Sequence, residues 1–174
     1  TYMLPYEMGV KAGAVTLMSG FHDISGVPAS ANHYTMREVL KGRWSHDGFV
    51  VSDWGSIVQL ISQGAAEDLK EASEKAIMAG VDMDMMSRGY DKYLKELVGE
   101  GKVPVEIVDD AVRRILRLKF RLGLFENPYI RETTEKERFL QPEDIKIAEK
   151  LAEESFVLLK NKEKRLPLAA GTKG

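Results

Sequence analysis

The stretch GFVVSDWGS, residues 48–56, joins an apolar run to a carboxylate. Residues 49–51 are bulky and apolar, which is typical of a short strand buried in a parallel sheet. Asp53 and Trp54 follow after one serine, and Gly55 then breaks the pattern. In parallel α/β folds the carboxyl ends of the strands face the ligand site. Asp53 is therefore either a residue of such a site or the N-cap of the helix that follows.

Apolar runs alternate with helical patterns on both sides of this stretch, which predicts an α/β fold with a parallel sheet. Asn32 is a candidate helix N-cap, Gly80 a candidate helix stop, and Pro104 suits the N1 position of a helix. We predict strands at residues 14–21, 48–53 and 81–86, and helices at residues 33–44, 57–64, 66–80, 90–101, 104–125 and 142–161. Three strands do not complete such a sheet, so we expect the chain to be part of something larger.

The composition indicates a globular protein and excludes several kinds of chemistry. The 174 residues are 44% hydrophobic and 30% charged, and the net charge is −2. Bulk electrostatics therefore favour neither nucleic acid nor an anionic membrane as a partner. No apolar run approaches the roughly 20 residues that a membrane span needs. The chain has no cysteine, which excludes disulfides, thiolate catalysis and Cys-ligated zinc.

Two further sequence features shape our expectations. The first ten residues, TYMLPYEMGV, have neither an initiator Met nor the pattern of a signal peptide, so we expect a piece of a longer protein. Arg113, Arg114 and Arg117 are expected to form a helix face. A nucleic-acid patch is not expected there, because acidic residues flank them and no aromatic platform accompanies them.

Two groups of polar residues could serve as metal ligands or as structural hydrogen-bonding groups. His22, Asp23 and His33 are possible metal ligands, but the first two are adjacent and would face opposite sides of a strand. We therefore predict no metal site. Asp82 and Asp84 would share one face of the third strand. A structural hydrogen-bonding role is expected for them, with a place at the site as the alternative.

The wider pattern carries a family resemblance. The segments LMSGFHDISGVPASAN, VLKGRWSHDGFVVSDWG, AGVDMDM, VRRILRLKFRLGLFENPY and ESFVLLKN follow one another in this order. In order and spacing this chain resembles glycoside hydrolase family 3, in its two-domain β-glucosidase and β-xylosidase branch. The resemblance implies that residues 1–125 are the C-terminal part of a TIM-type (β/α)8 catalytic barrel. Residues 126–174 would be the crossover helix and linker toward an α/β sandwich domain outside the chain.

The resemblance also implies roles for individual residues. Asp53 takes the place of the family's catalytic nucleophile, and Trp54 that of a residue lining the entrance subsites. Met18, at a strand end, would either line the sugar pocket or pack in the core. Phe21 and His22 stand where the family often has Tyr and Asn, so Phe21 lacks the hydroxyl that lies near the nucleophile. The family's acid/base Glu lies outside this chain, and its mechanism needs no cofactor.

The resulting hypothesis is a retaining β-glycoside hydrolase of the β-glucosidase type. Its partners would be a β-linked oligosaccharide substrate and the remainder of the parent chain, with no nucleic acid and no membrane span. The resemblance implies a periplasmic or secreted location. A non-catalytic carbohydrate-binding or structural fragment is the alternative from another class. A phosphorylase variant of the family also remains open.

Overall fold

The computed structural model describes residues 2–129, 138–169 and 171. The chain divides into two compact units, Thr1–Pro128 and Tyr129–Gly174. In the described residues the helices are α1 (Met3–Lys11), α2 (Ser56–Ser62), α3 (Leu69–Ala79), α4 (Gly89–Gly99), α5 (Val105–Arg121) and α6 (Pro142–Ser155), with a π-helix at Tyr34–Arg43 and 3₁₀ turns at Ala29–Ala31 and Lys162–Lys164. None of these helices is both long and apolar enough to cross a membrane.

The sheet of the first unit is parallel, as the alternation of elements predicts. Strand β1 (Thr16–Ser19) pairs with β4 (Phe49–Ser52) in a register that sets Ser19 opposite Ser52. Strands β2 (Asp23–Ile24) and β3 (Val27–Pro28) form a separate short antiparallel hairpin. A mixed α/β fold with parallel strands is therefore confirmed. The predicted boundaries of the first two strands were too wide by one to two residues at each end.

The third predicted strand, residues 81–86, is reduced to one parallel bridge between Val51 and Met83. The segment does bond to β4, since the Asp82 amide donates to the Val50 carbonyl at 2.8 Å and the Ser52 amide to the Met83 carbonyl at 2.8 Å. Side-chain acceptors replace the rungs on both sides of this bridge. Before it, Asp82 Oδ2 accepts the Val50 amide at 2.8 Å, and after it the Ser52 hydroxyl accepts the Met85 amide at 2.7 Å. The chain then turns at Met86, whose φ is 71°.

Local end signals place most helices close to the predicted ranges. The Asp68 carboxylate accepts the Glu71 amide at 2.8 Å, so α3 begins at Leu69 and not at residue 66. Gly80 ends that helix with φ 112°. The Asn32 side chain accepts the Thr35 amide at 3.0 Å, as predicted for a cap. Pro104 is the N-cap of α5 and not its N1 residue, so α5 begins one residue later than predicted.

Two predictions at the chain's ends were incomplete. Helix α1 was not foreseen, because its residues show no clear apolar face. Helix α6 ends at Ser155, and Phe156 is extended with φ −68° and ψ 129°. The predicted helix 142–161 was thus too long, although an extended end was expected.

The core of the first unit lies between the sheet and the helices that cover it. Buried side chains of the π-helix, β4, α2 and α3 form one cluster, made of Met36, Leu40, Val50, Ile57, Leu60, Ala66, Ala72, Ala76 and Val81. A second cluster joins α3, α4 and α5 through Ile77, Leu97, Val103 and Ala111. These contacts fix the position of β4 and so of the residues that follow it.

The amino end of β4 is held by α5. The Arg114 guanidinium donates to the carbonyls of His46 at 2.8 Å and Gly48 at 2.9 Å, and Arg117 donates to the Asp47 carbonyl at 2.8 Å. Gly48 has no room for a side chain, since a Cβ there would lie 1.8 Å from the Val15 carbonyl oxygen. The arginine face predicted on this helix thus has partners within the chain.

Candidate active site

Asp53 stands at the carboxyl edge of the parallel strands. Its amide donates to the carbonyl of Ser19, the last residue of β1, at 3.0 Å. Residue Ser52, immediately before it, ends β4 and donates its amide to Met83. Two neighbouring segments therefore bond to the backbone of Ser52 and Asp53, at the edge where parallel α/β folds place their ligands.

The carboxylate of Asp53 does not cap the helix that follows. The N-cap of α2 is Gly55, with φ 67°, and the Val58 amide in the first turn of this helix donates to the Ser87 hydroxyl at 3.1 Å. The Ser56 amide bonds at 3.0 Å to the carbonyl of Asp53 and not to its carboxylate. Asp53 Oδ1 accepts the Trp54 amide at 2.7 Å. The helix-cap reading is therefore wrong, and the half-buried carboxylate is free of that structural duty.

The other predicted site residues follow the same strand ends. The Trp54 side chain is 64% exposed, directly beside Asp53. Met18 and Phe21, near the end of β1, are 51% and 41% exposed, so Met18 is not packed in the core. The Phe21 carbonyl accepts the side-chain amide of Gln63 at 2.8 Å. The structure thus exposes all three hydrophobic side chains near one edge, while their contact with a ligand stays a prediction.

An apolar cleft of about 790 Å³ lies beside this edge. Its walls come from α1, β1 and the π-helix, and they include Met18 and His22. Asp53, Trp54 and Phe21 are not in its walls. The cleft also has a carboxylate, Asp23, but that residue belongs to the short hairpin. We place the candidate site at Asp53, because its carboxylate follows the paired parallel strands.

Asp82 has a structural partner, Lys41, that no local sequence pattern indicates. The Lys41 Nζ lies 2.5 Å from Asp82 Oδ1, and both side chains are buried. Asp82 Oδ2 accepts the Val50 amide at 2.8 Å. Burial lowers the pKa of Lys41 to about 8, even though the Asp82 carboxylate works to raise it. This pair ties the π-helix to the sheet.

Asp84 is also structural, as expected. Its Oδ2 accepts the amides of Gly89 at 2.7 Å and Tyr90 at 3.3 Å, and its Oδ1 accepts the Ser87 amide at 3.1 Å. The carboxylate thus satisfies two amides at the start of α4 that have no acceptor within the helix. The Tyr90 hydroxyl donates to the Val81 carbonyl at 2.7 Å, and burial raises the pKa of that hydroxyl well above its usual value.

Within the described ranges, no group of three His, Asp or Glu side chains is arranged to hold a metal ion. His22 and Asp23 line the apolar cleft, and all three candidates, including His33, are exposed. Asp53, the residue identified from the sequence at the strand edge, has the exposed Trp54 ring directly after it in the chain. Such an arrangement suits nucleophilic attack on a sugar, whose C–H face an aromatic ring can cover.

Comparison with known proteins points to one family. Residues 1–118 match the family described as "Glycosyl hydrolase family 3 N terminal domain". A periplasmic β-glucosidase of Salmonella typhimurium is 38% identical over 96% of this chain, and a putative β-xylosidase of Formosa agariphila is 37% identical over 94%. The chain spans 22% of the length of each of these two relatives.

Solved structures agree with the sequence matches. The crystal structure of a β-glucosidase from Listeria innocua superposes with a TM-score of 0.84 at 40% identity. The alignment covers 96% of this chain and 23% of that protein. The same β-glucosidase has been solved in complex with glucose.

Proposed function

Because this chain belongs to glycosyl hydrolase family 3, we propose that it carries the nucleophile of a retaining β-glycosidase, Asp53. One observation carries the proposal. The Asp53 carboxylate lies at the carboxyl edge of paired parallel strands and is not used to cap α2. A carboxylate in that place is available to a ligand, whereas Asp82 and Asp84 are committed to structural bonds.

In the proposed reaction Asp53 attacks the anomeric carbon of the terminal sugar. A bond forms from a carboxylate oxygen to that carbon while the bond to the leaving oxygen breaks, and an acid outside this chain protonates the leaving oxygen. Water then displaces the enzyme carboxylate, and the two inversions restore the configuration. Since Oδ1 accepts the Trp54 amide, we assign the attack to Oδ2.

The hydrophobic side chains at this edge suit a sugar ligand. The exposed Trp54 ring would cover an apolar sugar face, and Met18 and Phe21 would line the neighbouring wall. We propose a β-linked gluco- or xylo-oligosaccharide as the substrate class, because the relatives are named β-glucosidases and a putative β-xylosidase. The Phe21 ring offers no hydroxyl to the nucleophile, so Asp53 would depend on backbone bonds for its position.

The rest of the proposal concerns the whole protein. We propose that residues 1–125 contribute the C-terminal part of a (β/α)8 barrel and residues 126–174 the crossover to a further domain. The partner of the chain is then the remainder of the parent protein, which supplies the acid/base residue. A periplasmic or secreted location is proposed on the likeness to a periplasmic β-glucosidase.

Covalent labelling tests the proposed nucleophile directly. The full-length protein is incubated with 2-deoxy-2-fluoro-β-D-glucosyl fluoride, and the modified peptide is located by mass spectrometry. We expect one added fluoroglucosyl group on Asp53, because the fluorine slows hydrolysis of the covalent intermediate. If a fluoroxylosyl reagent labels Asp53 and the glucosyl reagent does not, the mechanism stands and the sugar is corrected to xylose.

Two variants make the result specific. Asp53→Asn should prevent labelling, because an amide is a poor nucleophile. Asp47→Asn should label like the parent protein, because Asp47 lies at the opposite end of β4, paired with Arg121 at 2.6 Å. Absence of an adduct with every sugar tested would contradict the enzymatic proposal and favour the non-catalytic reading.

A further inference from the structure

Buried serines form a chain of hydroxyl groups behind the candidate site. Ser30 Oγ lies 2.9 Å from Ser19 Oγ and 2.8 Å from Ser56 Oγ. The three residues belong to three different elements, the 3₁₀ turn, β1 and α2. All three are nearly inaccessible, with Ser30 only 1% exposed. Polar groups buried this deeply destabilise a fold unless they are bonded, and these bond to one another.

The two outer serines of this hydroxyl chain, Ser19 and Ser56, also bond to the backbone of Asp53. The Ser19 carbonyl accepts the Asp53 amide at 3.0 Å, and the Ser56 amide donates to the Asp53 carbonyl at 3.0 Å. Ser30 touches neither group of Asp53, but it joins the two residues that do. A closed circuit therefore runs from Asp53 through Ser19, Ser30 and Ser56 back to Asp53.

A separate serine completes the support. The Ser52 hydroxyl accepts the Met85 amide at 2.7 Å and donates to the Asp53 carbonyl at 3.1 Å. The carboxylate itself accepts only the neighbouring Trp54 amide among the bonds of the described residues. Its position is therefore set by the backbone that carries it. A catalytic carboxylate must be held to within a fraction of an ångström of the attacking geometry.

We propose that the hydroxyl chain Ser19–Ser30–Ser56 positions Asp53 for attack on the anomeric carbon. Ser30 is the central positioning residue, since its hydroxyl connects the end of β1 to the start of α2. The inference rests on the proposed function, because it assigns these serines to the nucleophile of that reaction. Alanine at position 30 would remove the connection without changing the apolar packing much. The end of β1 and the start of α2 could then separate.

The rate of covalent labelling tests this role. With 2-deoxy-2-fluoro-β-D-glucosyl fluoride, the inactivation rate constant reports attack by the nucleophile, and fluoride leaves with little help from an acid. We expect Ser30→Ala to lower that rate constant about tenfold, with the reagent's binding constant unchanged, because a small displacement of a reacting group costs this much or more. Ser56→Ala, which removes the bond between Ser30 and α2, should lower the rate constant in the same way.

A matched control separates positioning from general loss of stability. Ser73 is equally buried, and its hydroxyl donates to the Leu69 carbonyl of its own helix at 2.6 Å. Ser73→Ala also removes a buried hydroxyl and should leave the inactivation rate constant unchanged, because that hydroxyl bonds within α3. The double variant Ser30→Ala/Ser56→Ala should have an inactivation rate constant little lower than that of either single variant, because both substitutions break the same hydroxyl chain.

The outcomes are distinct. If Ser30→Ala and Ser56→Ala both keep the inactivation rate constant of the parent, with Asp53 still labelled, the positioning role is overturned and the proposed function stays intact. Equal slowing by Ser73→Ala, or multiplicative effects in the double variant, also overturns it. Labelling at a residue other than Asp53 refutes the proposed function, and the positioning role falls with it.

Discussion

Removing Lys41 while keeping Asp82 should strongly destabilise the first unit. The pair is buried, with side-chain exposures of 5% for Lys41 and 0% for Asp82, and the two charged atoms lie 2.5 Å apart. Asp82 Oδ2 keeps the Val50 amide as a partner after the substitution. In Lys41→Met the apolar stem survives, but the carboxylate loses its counter-charge in a site without water access.

The expected cost follows from this burial. Removing one partner of a buried ion pair typically costs about 3–5 kcal/mol, because the remaining charge is left without compensation. Removing both charges in Lys41→Met/Asp82→Asn should cost about 1 kcal/mol, since the Asn oxygen still accepts the Val50 amide. The double variant should therefore be more stable than Lys41→Met by about 2–4 kcal/mol.

Native-state hydrogen exchange of the full-length protein measures the effect. Mass spectrometry of a peptide containing residues 49–52 gives the free energy of opening at β4. Lys70→Met is the control, because Lys70 forms exposed pairs with Glu96 and Glu100, each at 2.7 Å, and should cost less than about 1 kcal/mol. Equal costs for Lys41→Met and Lys70→Met, or no recovery in the double variant, would refute the reasoning.

Three further predictions concern the same unit. Burial lowers the pKa of Lys41 from 10.5 to about 8, so the unfolded chain binds this proton more tightly than the folded chain does. The contribution of Lys41 to the free energy of unfolding should therefore rise with pH between those two values. The difference in unfolding free energy between the parent and Lys41→Met, measured against pH, tests this. Gly48→Ala should lower soluble expression and the melting temperature, because its Cβ would lie 1.8 Å from the Val15 carbonyl oxygen and must separate β1 from β4; an unchanged melting temperature contradicts this. Asp84→Ala should lower the free energy of unfolding by about 1–2 kcal/mol, because the Gly89 amide loses its acceptor. Hydrogen exchange over residues 87–90 should then be faster, and unchanged exchange would contradict this.

The local pattern of the sequence was sufficient for much of the architecture. Helices α3 and α4 follow from their apolar spacing, and Asn32 and Gly80 mark ends where predicted. The parallel pairing of β1 with β4 follows from the alternation of strands and helices. These features depend on residues close together in the chain, whose propensities act before tertiary contacts form.

Features that depend on distant residues were missed. The third strand was predicted from alternation at residues 81–86, but the side chain of Asp82 replaces part of its ladder. Lys41 is 41 residues from Asp82, and no local pattern links the two. Helix α1 has no strong apolar periodicity to reveal it.

The sequence by itself determined the α/β class, the family and the choice of Asp53 as the residue of interest, because a carboxylate after a buried apolar run is a local signal. Only the tertiary structure excluded the interpretation of that carboxylate as a helix cap. It showed that the N-cap of α2 is Gly55 and that the side-chain acceptor for the first turn of this helix is the Ser87 hydroxyl and not the Asp53 carboxylate. It also joined Ser19, Ser30 and Ser56 behind the site. Hydrogen bonds between elements far apart in the chain exist only once the sheet and helices have packed.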